Sequence, residues 1–157
     1  MNEAFSQYIE ALHPAFERLL AMRPVTIATL PKDAPLQCIY LFSEDGRFLY
    51  VGRTRRQSLA KRLRQHSIDS AKHNQAVFAF KIAREKTGHL HAGYTAADSR
   101  EALCADPEFA EAFLQAKRRI RQMELRYVEE VDPLRQTLLE IYVAVVLKTS
   151  YNDFDTH

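Results

Sequence analysis

The sequence has little that would stabilise it covalently or tie it to a membrane. It has only two cysteines, Cys38 and Cys104. They are too few and too far apart for a disulfide framework or a metal-ligating spacing, so a reducing compartment is the expectation. No stretch approaches the roughly 20 consecutive apolar residues of a membrane span, because charged residues interrupt every run. The opening MNEAFSQYIEALHPAFERLL carries acidic residues among its apolar ones and lacks an uninterrupted signal core. A cytoplasmic, membrane-independent protein is therefore expected. There is no internal repeat, low-complexity tract, linker, zinc ribbon or helix-turn-helix. What is present, 157 residues with 46% hydrophobic and 27% charged, is enough for one globular core and argues against disorder.

One local absence points toward function. From Gly46 to Ile68 the chain has no acidic residue, yet it carries Arg47, Arg53, Arg55, Arg56, Lys61, Arg62 and Arg64. The rest of the chain is net acidic, with a second basic knot at Lys117, Arg118, Arg119 and Arg121. A concentrated positive stripe on such a body suits a polyanion such as nucleic acid, although a solvated helix face has the same composition.

Hydrophobic periodicity predicts the elements. Phe5, Ile9, Leu12, Phe16, Leu19 and Leu20 recur at helical spacing across residues 1–22, with Pro14 kinking the segment or starting a second helix and His13 just outside it. Residues 23–36 read as a proline-punctuated connector. Leu36–Phe42 and Phe48–Val51 flank the turn Ser43-Glu44-Asp45-Gly46 and predict a β-hairpin, closed by Gly52 where backbone or ligand could approach closely. Ser58 caps a helix to about His66 with Leu59 and Leu63 buried. Residues 76–83, AVFAFKIA, alternate as a strand, followed by a loop from Gly88 to Gly93. Helix in two pieces is predicted over 98–119, a strand from Met123 to Val128, and a helix from Asp132-Pro133 to about Lys148 with Leu134, Leu138, Ile141 and Val145 inside. The fold class is α+β: a small, mainly antiparallel sheet of three to four strands flanked by helices.

Three features carry chemistry. Glu140 lies in LLEIYVAVVL, the most apolar stretch, where an unpaired carboxylate would cost several kcal/mol; it must be neutral, paired or bound to a cation, unless it merely marks the polar edge of an amphipathic helix. Arg62 and His66 stand four apart on one helix face, suited to clamping a phosphate and moving a proton. Tyr40 and Tyr50 sit on the two hairpin strands, an arrangement that cross-strand packing also produces. His89-Leu90-His91 lacks nearby partners for a metal, and Cys104 reads as a small helix-core residue.

Together these residues resemble the GIY-YIG nuclease family. Cys38-Ile39-Tyr40 stands for its first signature, Tyr50-Val51-Gly52 with Arg53 for its second, and Ser58–His66 for the helix with an Arg-Leu pair. Glu140 stands for its metal-binding glutamate and Tyr151-Asn152 for the closing Tyr-Asn. Cys38 replaces the usual glycine at a position that contributes no catalytic atom. The resemblance spans about Gln37 to Asn152. It implies a nuclease domain over 37–157, with residues 1–36 a helical extension packed on it in a single globular unit.

It also implies a DNA endonuclease that hydrolyses phosphodiester bonds with one divalent metal, Mg²⁺ or Mn²⁺, held by Glu140. Arg62 would neutralise charge on the phosphate. Tyr40 would be the general base beside Tyr50, which requires its pKa to fall, with Arg53 or the metal as the cause. His66 would bond to Tyr50 or the phosphate, and Asn152 would orient Glu140 or Tyr40. Arg53, Arg55, Arg56, Lys61 and Arg64 would hold neighbouring phosphates without reading sequence. A homodimer would allow symmetric double-strand cuts. The alternative is a catalytically inactive nucleic-acid-binding module of the same fold.

Overall fold

The hairpin is the most locally determined part of the molecule. A computed structural model of the chain describes residues 2–89 and 99–154. In it β1 (Cys38–Glu44) and β2 (Arg47–Thr54) are joined by Asp45 and Gly46, with φ of 51° and 73°. Positive φ at both central residues is the type I′ geometry whose twist matches that of paired strands. The ladder runs from Glu44↔Arg47 to Cys38↔Thr54, with an irregularity between Phe42 and Ser43. β3 (Glu124–Glu129) pairs antiparallel with the other edge of β1, giving the order β2-β1-β3. Among the described residues this three-stranded antiparallel sheet with its helices makes a small α+β fold, as expected.

The chain falls into two compact units, Met1–Arg62 with Met123–Asn152, and Leu63–Gln122 with the chain end from Asp153. The first holds the sheet, α1 (Glu3–Glu10), α2 (Leu12–Ala21), a 3₁₀ turn Ile27–Thr29 and α7 (Pro133–Leu147). Ile39, Leu41, Val51 and Val128 form one wall of its core, against Leu12, Phe16 and Leu19 of α2 and Leu139, Val143 and Ala144 of α7. Alternation along β1 and β2 sends Tyr40, Phe42 and Tyr50 to the opposite face. Asp132 caps α7 by accepting from the Arg135 amide at 2.8 Å, with Pro133 in the first turn. The face of α7 differs from the expected one. Gln136, Leu139, Val143 and Ala144 are buried, whereas Leu134, Ile141 and Val145 are exposed. In a helix this apolar all round, composition alone does not tell which stripe faces inward. α2 begins at Leu12, so Pro14 falls in its first turn as expected, but His13 lies inside the helix, its Nδ1 3.0 Å from the Tyr142 hydroxyl.

The second unit contains α4 (Val77–Thr87), α5 (Arg100–Ala105) and α6 (Pro107–Ile120). The strand expected at 76–83 is a helix. Phe78, Ala79, Phe80, Ile82 and Ala83 are all buried, on both parities of the supposed alternation. The pairs 78/79 and 82/83 lie one turn apart and satisfy a helical period equally well. The following Arg84-Glu85-Lys86 extends the helix to Gly88, which caps it at φ 78°. Phe80 packs on Phe109 and Phe113 with ring centroids 5.0 and 5.9 Å away. Most of the Gly88–Gly93 loop and His91 of the histidine pair lie outside the described residues. α3 (Leu59–Ser67) runs from the first unit into the second; Leu59 and Leu63 are both fully buried, and Ser58 Oγ accepts the Lys61 amide at 3.2 Å.

Candidate active site

Tyr40 sits in the middle of β1, directly across from Gly52 on β2. A Cβ built on Gly52 would overlap the Tyr40 hydroxyl and ring, so the missing side chain is what lets the phenol lie across the outer strand. The close approach expected at Gly52 is thus made by Tyr40. The ring is 1% exposed and meets Phe42 edge-on at 5.9 Å. Its hydroxyl accepts from Arg62 Nε at 3.2 Å, and the Arg62 side chain also hydrogen-bonds Tyr50. One guanidinium on α3 therefore ties together the two hairpin tyrosines.

Glu140 approaches from α7. Its Oε2 lies 3.1 Å from Arg53 Nε, with both side chains about three-quarters buried. Arg53 also donates from Nη1 to Thr137 Oγ1. Thr137 and Glu140 are three apart on α7 and share a face, so the helix holds the guanidinium at two points. Register puts Arg53 on the opposite face of β2 from Tyr40. The site wraps the outer strand, with Glu140 still close enough for its charge to act on Tyr40 and Arg62.

The electrostatics are set mainly by burial. Burial raises the Glu140 carboxyl above the ordinary glutamate range, and the Arg53 and Arg62 charges pull it partly back. Burial also raises the Tyr40 phenol, Tyr50 adds to that rise, and Arg62 opposes it. The protein groups alone thus move the Tyr40 phenol opposite to the direction that a general base needs. Arg62 moves upward despite desolvation, because the phenols favour its charged form, so it is a permanent cation.

The expected residues do not all take the expected partners. Tyr40, Tyr50, Arg62 and Glu140 converge. Asn152 belongs to the same unit but takes other partners than those expected. Its Oδ1 accepts from the Val51 amide and its Nδ2 donates to the Val51 carbonyl, each at 2.8 Å, while Thr149 Oγ1 donates to the same Oδ1 at 2.8 Å. Asn152 thus pins the chain after α7 to the back of β2, beside the Tyr151–Leu49 backbone bond, instead of orienting Glu140 or Tyr40 directly. His66, fully buried, and the exposed Arg64 lie on the part of α3 that belongs to the second unit. Arg53, Arg55, Arg56, Gln57 and Lys61 line one open cavity of about 400 Å³. Thr137 and Gln57 escaped the sequence reading. Thr137 had a usable signal in its i, i+3 spacing from Glu140; Gln57 had none beyond its place in the basic run.

A divalent cation at Glu140 can be tested against the donor set. Among the described residues no three His, Cys, Asp or Glu side chains come together. The site offers one desolvated carboxylate that is already paired with Arg53, so a hard cation there would have to displace that guanidinium and take its other oxygens from water and a substrate phosphate. The site does not suit a closed all-protein cage. Among the described residues, no helix is long and apolar enough to cross a membrane.

No protein-family model, curated protein or solved structure matches the chain.

Proposed function

We propose that the protein is a metal-dependent DNA endonuclease of GIY-YIG type. The observation that carries this reading is the convergence of Arg62, Tyr40, Tyr50 and Glu140 around the outer strand, next to an arginine-lined cavity. A polyanion entering that cavity meets Arg55, Arg56 and Lys61, which are exposed and hold backbone phosphates. Arg62, a cation already fixed by two phenols, stabilises the charge that grows on the phosphate oxygens as water attacks. Tyr40 remains a neutral phenol at neutral pH and acts as a hydrogen-bonding partner that positions water and phosphate. Glu140 is the residue that would hold Mg²⁺ or Mn²⁺, and such an ion would supply Lewis-acid polarisation to the phosphate.

Arg53 is paired with Glu140, and exchange of that pair would offer the same guanidinium to a phosphate. Plasmid cleavage with Mg²⁺ or Mn²⁺ tests the reading. Nicking or linearisation by wild type, abolished by chelator, by Glu140→Ala and by Arg62→Ala, is the expected result. If wild type leaves every plasmid and branched substrate intact, the catalytic assignment falls.

The second reading, an inactive nucleic-acid-binding module, is favoured by the raised Tyr40 phenol and by the Arg53–Glu140 pair, which both describe a site at rest. Salt-sensitive DNA binding by wild type, Glu140→Ala and Arg62→Ala alike, with no cleavage, would select it.

A further inference from the structure

Beside the arginine-lined cavity lies a second recess of about 550 Å³, within the size range of small-ligand pockets. Arg55, Arg56 and Gln57 line both, so the two adjoin. The second differs in having apolar walls. Leu36 and Val131, 66% and 58% exposed, line it together with Gln37 and Glu129. A single exposed leucine needs no explanation. Two large aliphatic side chains lining one recess rimmed by arginines are a combination that a purely phosphate-holding surface does not need.

The backbone carrying these walls is fixed before any ligand arrives. Thr54 Oγ1 donates to the Leu36 carbonyl at 2.7 Å and accepts the Cys38 amide at 3.1 Å. The Glu130 amide donates to the Gln37 carbonyl at 3.0 Å. The buried Gln136 donates to the Thr54 and Glu130 carbonyls at 2.9 and 2.7 Å. Glu129 pairs with Cys38, two residues along β1 from Tyr40, or roughly 7 Å at strand rise.

We propose that this recess receives one nucleobase, unstacked from the DNA strand next to the phosphate held at Arg62. Leu36 and Val131 would contact its faces, Gln37 and Glu129 its hydrogen-bonding edge, and Arg55 and Arg56 the flanking phosphates. The inference rests on the nuclease reading for the place of the cut, but the recess makes its own demand on the substrate. A base held in an intact stack cannot enter it, and extrusion is easiest where the nucleotide is already unpaired. The preferred substrate is therefore DNA with an unpaired nucleotide at the cut, such as a fork or flap, over continuous duplex.

Binding tests this separately from cleavage. Glu140→Gln protein is titrated with a fork and with a duplex of equal length, each carrying 2-aminopurine at the junction position. The fork is expected to bind about tenfold more tightly, with a change in 2-aminopurine emission. The Leu36→Ala/Val131→Ala variant should lose the preference and the emission change while its duplex affinity stays within about twofold. Both residues are exposed, and an unchanged thermal melt confirms that the variant folds. Equal affinity for fork and duplex, or a preference that survives loss of both walls, overturns the proposal. Parallel cleavage by wild type keeps the two claims apart. Fork preference without cleavage of any substrate overturns the nuclease reading alone. Cleavage of fork and duplex at equal rates, unaffected by the wall substitutions, overturns the recess alone.

Discussion

Replacing Gly52 with alanine puts a methyl group where Tyr40 already stands. The new carbon would lie 3.0 Å from Tyr40 Cε2 and nearer still to the ring carbon bearing the hydroxyl and to the hydroxyl itself. The ring cannot swing into solvent, because it is 1% exposed and packs against Phe42. Overpacking of this kind costs about 1–3 kcal/mol. Alanine also stiffens the unfolded chain, which returns about 0.4–1 kcal/mol. Displacing the hydroxyl from Arg62 weakens a bond to a charged donor, adding to the cost. The net expectation is a loss of about 1–3 kcal/mol, seen as a fall of roughly 2–4 °C in Tm per kcal/mol for a chain of this size. Urea denaturation followed by two probes checks both the loss and whether the transition is two-state. The mechanism makes a second demand. Tyr40→Phe removes one of the two nearest atoms, so Gly52→Ala/Tyr40→Phe should cost at least 0.5 kcal/mol less than the sum of the single variants (a coupling of the size expected for touching residues). A Gly52→Ala protein as stable as wild type, or strict additivity, would refute the steric account of Gly52.

Two other predictions concern the carboxylate and the clamp behind β2. The folded protein holds Glu140 above its unfolded pKa, so the native state binds the proton more tightly. That contribution is fully present below the ordinary glutamate value of 4.5 and is lost as pH rises through the raised folded value. Glu140→Gln removes the dependence, so the stability of the variant relative to wild type should increase between pH 4 and pH 7 in urea titrations. A difference that shrinks over that range would show that Arg53 and Arg62 outweigh burial. Asn152→Ala leaves the amide and carbonyl of the fully buried Val51 without partners and should cost about 2–3 kcal/mol. Faster hydrogen exchange at the Val51 amide, measured by NMR, is the local sign, and unchanged exchange there would remove Asn152 from the clamp.

The parts of the fold legible in the sequence are those fixed by local chemistry. Asp45-Gly46 dictates a tight hairpin through its positive φ values, and Asp106-Pro107 and Asp132-Pro133 start helices through a side-chain cap and a preset φ. What sequence did not settle depends on which surface meets which. Phe78, Phe80 and Ile82 suit a strand wall or a helix stripe, and only packing against Phe109 and Phe113 decides. In α7 almost every position is apolar, so the inward face follows from Ile39, Leu41 and Val51, which lie nearly a hundred residues away.

The candidate site divides along the same line. That Glu140 could not stand unpaired in its apolar helix followed from the cost of burying a charge. Its partner, Arg53, was expected on the phosphates, because nothing local reveals that β2 passes beside α7. Asn152 was expected at the reacting groups for the same reason, since order along the chain preserves which residues occur but not what each touches. Its actual bonds to Val51 give it an indirect part: they fix the strand that carries both Tyr50 and Gly52, and Gly52 in turn admits Tyr40 to Arg62. A positioning role of this kind predicts that loss of Asn152 disturbs the phenol–guanidinium contact only as far as β2 shifts. It would then lower stability and site order together, whereas a residue bonded to the reacting groups would affect the site with the fold intact.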